Sequence, residues 1–131
     1  MSRLSRVTLG QALRYRGGQP MTVWLLHRIT GLGIVLFVGM HVLAAFMLYA
    51  TEGGTTNVVA DALTSFYETL WVQLFVLFCV LFHAVNGLRV AILDMWPSLI
   101  HYYREAMWVQ WAVFLPLFLV PAVLMVLRGT I

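Results

Sequence analysis

The stretch TVWLLHRITGLGIVLFVGMHVLAAFMLYA, residues 22–50, decides the fold class. Over about thirty positions only His27, Arg28 and His41 carry a basic group, and roughly 20 apolar residues already cross a bilayer as a helix. Two more runs of the same character follow, at residues 70–96 and 106–127. Hydrocarbon offers no partner to an open backbone N–H or C=O, so each run must close its hydrogen bonds internally as a helix. A barrel would need short alternating strands, which are absent. The sequence therefore predicts an all-α membrane protein: a cytoplasmic N-terminal arm at residues 1–20, then a three-helix transmembrane anchor domain at residues 21–131.

Composition agrees. Of 131 residues, 62% are hydrophobic and 10% charged, whereas a soluble domain carries about 25% charged residues to cover its surface. All eight cationic residues are arginines. Four of them, Arg3, Arg6, Arg14 and Arg16, precede the first run, the pattern of cytoplasmic retention rather than of a nucleic-acid-binding patch. The first run is too long for a cleaved signal peptide, so it is expected to stay in the mature chain. Residues 51–69 hold Glu52, Asp61 and Glu68 and no basic residue, which puts that connection across the membrane from the arm and leaves the C-terminus on the far side. The single cysteine, Cys79, lies in an apolar run and reads as a small buried hydrophobe. Pro116 and Pro121 each remove a backbone donor from the third run and are expected to kink it.

Polar side chains inside such runs are costly and mark sites until a partner is found. The candidates are His27, Arg28 and His41 on the first run and His83, Asn86, Arg89 and Asp94 on the second. Arg28 and Asp94 lie near span ends, where anchoring at the headgroups competes with a site role. His83 is deep and flanked by Phe78, Leu81 and Phe82; it is either a metal ligand or a hydrogen-bonded packing histidine. Gly87, four residues on, shares its face and clears room for a flat macrocycle, though close helix packing also uses glycine. Arg89, nearer the cytoplasmic end, is placed to meet an acidic group of such a ligand. His41 is fourteen residues from His27, roughly 21 Å of helix rise, so the two cannot serve one centre. Taking Pro20 and Pro97 as one membrane level puts His41 about 10 Å deeper than His83. Most aromatics, including Trp71, Trp96 and Trp108, fall at span ends as an interfacial belt does; Trp24 instead shares a face with His27.

The string His27-Arg28-Ile29-Thr30-Gly31, followed on the second run by His83-Ala84-Val85-Asn86-Gly87-Leu88-Arg89 and then Asp94, resembles the cytochrome b membrane-anchor subunits of succinate dehydrogenase and the related fumarate reductases. The resemblance covers all three spans. It implies that His83 is an axial ligand of a b-type haem whose iron takes its other ligand from a second membrane-anchor subunit. It also implies that Arg28 lies at a quinone site facing the iron–sulfur subunit; there Arg28 is expected to orient the quinone oxygen, with Asp94 as a proton-path or structural partner. Trp24 departs from the members with one haem, which typically have a serine there whose hydroxyl helps to bind the quinone; here either the indole walls the quinone ring by stacking or the pocket is rearranged. The Thr30-Gly31 pair with His41 ten residues later looks like the branch with two b haems, His41 serving the haem farther from the iron–sulfur subunit.

The expected function is that of an electron conduit and quinone site in the inner (cytoplasmic) membrane. Its expected partners are the second anchor, the iron–sulfur and flavoprotein subunits, the lipid bilayer and quinone, with no nucleic acid. The expected site residues are His83, His41, Arg89 and Gly87 for one or two haems, with His83 and His41 bound to metal, and Arg28, Trp24, His27 and Asp94 for quinone. The catalytic oxidation of succinate belongs to the partner subunits. A non-redox transporter or assembly subunit, its histidines and arginines used for packing or proton movement, is the competing class.

Overall fold

The computed structural model describes residues 18–50 and 58–129; the arm expected at residues 1–20 lies almost wholly outside them. The described residues form four α-helices and one 3-10 turn, with no strand among them. Helix α1 is Gly18–Ala50, α2 Val58–Glu68, α3 Leu70–Met95 and α4 Tyr103–Gly129, the last preceded by a 3-10 turn at Pro97–Tyr102. Three segments are long and apolar enough to cross a membrane: Gly18–Tyr49, Leu70–Met95 and Pro97–Gly129.

The ends have local causes. Gly18 opens α1 at φ +66°, a conformation that glycine adopts without a Cβ penalty, and Pro20 fits the first turn because its missing N–H has no helical partner there. The helix so begins one turn before the expected residue 22. Helix α3 stops at Met95 because Pro97 disfavours the α conformation at Trp96, which adopts φ −126° and ψ 81°. The third expected span, residues 106–127, is longer than foreseen at both ends, and α4 is one continuous helix with Pro116 and Pro121 inside it.

Helix α2 was not foreseen, since residues 51–69 read as a connection. Its apolar residues, Val58, Val59, Ala60, Leu63, Phe66 and Tyr67, interleave with Asp61, Thr64, Ser65 and Glu68 at helical spacing. Asp61 lies in the first turn, where the helix dipole favours an anion. Ala60 is fully buried, as is Ala44 on α1, and α2 packs chiefly on α1. Thr69, in extended backbone, separates α2 from α3.

Helix α3 occupies the middle. It packs on α1 along one side and on α4 along another, while among the described residues α1 and α4 make no close backbone approach. The α1 seam recurs every seven residues at Val23, Thr30, Phe37 and Ala44, the repeat of a left-handed helix pair; all but the half-buried Phe37 are buried. Gly33 lets that seam close: a Cβ there would stand 3.0 Å from Cys79 Sγ. Between α3 and α4 the core is aromatic. Phe114 meets Phe78 and Phe82 edge-on with centroids 5.5 Å away in each case, and stacks with Phe118. Cys79 is buried, as its setting foretold. Outward-facing side chains are overwhelmingly apolar, among them Leu32, Val35, Leu36, Trp71, Trp108 and Val120, as lipid or an apolar partner requires.

Candidate functional site

The α1–α3 seam brings together residues more than fifty positions apart. The rings of His27 and His83 lie face to face, centroids 3.9 Å apart and planes 8° from parallel. Thr30, one turn after His27 and 1% exposed, completes the group.

The hydrogen bonds fix the chemistry of His83. Its Nδ1 lies 3.1 Å from the backbone carbonyl oxygen of His27. A carbonyl only accepts, so the ring proton sits on Nδ1 and Nε2 keeps the free lone pair. Thr30 Oγ1 is 3.4 Å from the same Nδ1. That hydroxyl is 2.8 Å from the Leu26 carbonyl and 3.0 Å from the His27 carbonyl, the back-bonding that a threonine within a helix makes. Glycine at 31 is what allows this approach. A Cβ on Gly31 would fall 2.9 Å from His83 Cε1 and 3.3 Å from Nδ1. Gly87, expected to clear space for a macrocycle, lies beside the other ring: a Cβ there would stand 3.7 Å from His27 Cε1.

Face-stacked rings cannot be the two axial ligands of one iron, which must point their nitrogens at the metal from opposite sides. His27 is therefore not the counterpart of His83 in this arrangement, and no group of three or more His, Cys, Asp or Glu residues converges among the described residues.

Arg89 turns toward α4. Six residues after His83 on the helix, it is displaced by roughly 120° around the axis, and its guanidinium lies over Tyr103 at 5.1 Å from the ring centroid. Nε and Nη1 of Arg89, Nδ1 of His27, Oδ1 of Asn86 and both amide atoms of Gln110 are buried without a hydrogen-bond partner. Arg89 and Gln110 also line a cleft of about 360 Å³ between α3 and α4, walled by Val85, Leu88 and Val109 and with Glu105 in its lining. Sequence reading passed over Gln110. Its signal was present, an amide in the middle of an apolar run.

Arg28 and Trp24 form a second, outward group. Both side chains are exposed, with the guanidinium carbon 4.1 Å from the indole centroid, a cation–π contact. Asp94 is exposed near the end of α3 and joins neither Arg28 nor Arg89 in a described ion pair.

His41 stands apart. It is exposed on α1, its ring centroid 5.5 Å from that of Tyr67 on α2 and 6.2 Å from that of Phe37. Since His83 lies beside residues 27–31, His41 is roughly 15–21 Å farther along α1 at 1.5 Å per residue. This exceeds the 10 Å inferred from aligning Pro20 with Pro97. Pro97 sits beyond the end of α3 in the 3-10 turn, so the two prolines do not mark one level.

Residues 5–125 match the family described as succinate dehydrogenase/fumarate reductase transmembrane subunit. The chain is 40% identical over 111 residues to the succinate dehydrogenase 2 membrane subunit SdhC of Mycobacterium tuberculosis (strain ATCC 25618 / H37Rv), covering 82% of this chain and 77% of that one.

Proposed function

Because the chain belongs to the succinate dehydrogenase/fumarate reductase transmembrane subunit family, we propose that it is the cytochrome b anchor of a succinate:quinone oxidoreductase. Its place is the inner (cytoplasmic) membrane, with the N-terminus in the cytoplasm. Together with a second anchor subunit it holds the iron–sulfur and flavoprotein subunits at the bilayer, carries b-type haem and helps to form the quinone pocket. Family membership sets the transporter alternative aside.

The observation that carries the haem assignment is the state of His83: Nδ1 is held by the His27 carbonyl, which leaves Nε2 as the metal-binding atom. The buried, unpartnered nitrogens of His27 and Arg89 are donors of the kind that take a carboxylate, as the edge of a haem presents. The residues therefore fit the group, which His83 would share with a ligand from the second anchor subunit. When bound, the haem supplies a one-electron relay whose potential follows its axial ligands and their hydrogen bonds. His83 would hold it, and Gly31 keeps the α1–α3 seam narrow around the ligand.

Arg28 orients the quinone by donating to a carbonyl oxygen, and Trp24 steadies the guanidinium while walling the ring. Asp94 and His27 complete the proposed quinone set. His41 is the ligand of a second haem, the distance to His83 requiring a separate centre.

The test is His83→Ala in the assembled complex, read by pyridine haemochrome and by the reduced visible spectrum. Loss of one b haem with the hydrophilic subunits still co-purifying is the expected result; full haem retention with an unchanged low-spin spectrum would falsify the assignment.

A further inference from the structure

We propose that Thr30 is a positioning residue for His83, its hydroxyl and the His27 carbonyl together locking the imidazole so that Nε2, and not a ring carbon, faces the metal. This rests on the haem reading of His83.

Three polar atoms close a triangle: His83 Nδ1 to His27 carbonyl oxygen at 3.1 Å, Thr30 Oγ1 to that oxygen at 3.0 Å, and Thr30 Oγ1 to Nδ1 at 3.4 Å. The Thr30 proton has its shortest acceptor in the Leu26 carbonyl at 2.8 Å. A hydroxyl lone pair is thus left toward His83, and the Nδ1–H is shared between two oxygens. A half-turn of the ring about its Cβ–Cγ bond would exchange Nδ1 with Cδ2 and Nε2 with Cε1. It would leave both oxygens facing a C–H and present carbon to the iron. The stacked His27 ring restricts tilt toward its face, and the absence of a Cβ on Gly31 lets the His83 ring edge approach α1 closely enough to make these bonds.

Packing alone does not account for the residue, because valine fills the same volume without a hydroxyl. Back-bonding to Leu26 alone does not either, since it sets no requirement on what lies across the seam. The hydrogen bond to His83 also acts electronically. A hydrogen bond to Nδ1–H raises the basicity of the ligating imidazole, which favours the oxidised metal, so weakening it raises the reduction potential.

The experiment compares Thr30→Val and Thr30→Ser in the whole detergent-purified complex, by haem content, redox titration and the low-spin EPR signal of the oxidised haem. Thr30→Val should raise the midpoint potential of the His83 haem and shift its largest g value, whereas Thr30→Ser, which keeps the hydroxyl, should match wild type in both. If Thr30→Val does not assemble, Thr30→Ala removes the hydroxyl without crowding and is read the same way. A potential and g value unchanged on loss of the hydroxyl, or shifted as far by serine as by valine, would overturn the proposal. Failure of the underlying reading looks different: the wild-type complex then lacks b-type absorption, or His83→Ala keeps all of it.

Discussion

Gly31→Ala isolates the α1–α3 seam. The added methyl would lie 2.9 Å from His83 Cε1, while ordinary carbon–carbon contact begins near 3.5 Å. The ring or the helix must therefore yield by about half an ångström. The ring has little freedom to do so, with the His27 ring stacked at 3.9 Å and Nδ1 held by the His27 carbonyl. Overpacking of this kind costs about 1–3 kcal/mol. Gly39→Ala is the matched control, for a Cβ there meets nothing within 4 Å. Thermal unfolding of the assembled complex in detergent, followed by the b-type spectrum, should show a lower midpoint and earlier loss of haem in Gly31→Ala, with Gly39→Ala near wild type. Gly33→Ala should fall between them, since its close neighbour is the single sulfur of Cys79 at 3.0 Å. Equal behaviour of Gly31→Ala and Gly39→Ala would refute the tight His83 contact and the seam register with it.

Arg28→Leu should cut succinate:quinone activity while reduction of an artificial dye by the hydrophilic subunits persists, so the ratio of the two rates is the measurement. Trp24→Ser removes the indole under the Arg28 guanidinium and should raise the apparent KM for quinone, read by steady-state titration; an unchanged KM would deny the indole any part in the pocket. His41→Leu should lower haem from two to one per complex by pyridine haemochrome, with the His83 signal intact; one haem in both proteins would remove the second centre. Phe114→Ala empties a site ringed by Phe78, Phe82, Trp111 and Phe118 and should lower stability by about 3 kcal/mol, measured as a drop in the thermal midpoint.

The spans were legible because lipid imposes one solution on a long apolar run, and the start of α3 at Leu70 and its end beside Pro97 follow from local residues alone. Helix α2 escaped because its eleven residues carry two acids and several hydroxyls and cannot span, yet Val58, Val59, Leu63 and Phe66 hold a helical spacing that a shorter window would register. Within the site, the residue types were legible and their grouping was not. That His27 stacks on His83 depends on the register of two helices joined through residues 51–69, and no periodicity in either helix encodes that register. The same holds for Arg89: its six-residue offset already turned it from His83 toward α4, while its seat over Tyr103 needed the third helix.

The order of packing, α1 on α3 and α3 on α4, bears on how the chain is made. A ribosome delivers α1 to the bilayer first, and among the described residues its backbone packs on α2 and α3 and not closely on α4. The His27–His83 stack is made by α1 and α3 alone, so it needs only that α3 has left the ribosome. The pairing of the two rings and the hydrogen bond of His83 to the His27 carbonyl would then be in place before α4 packs.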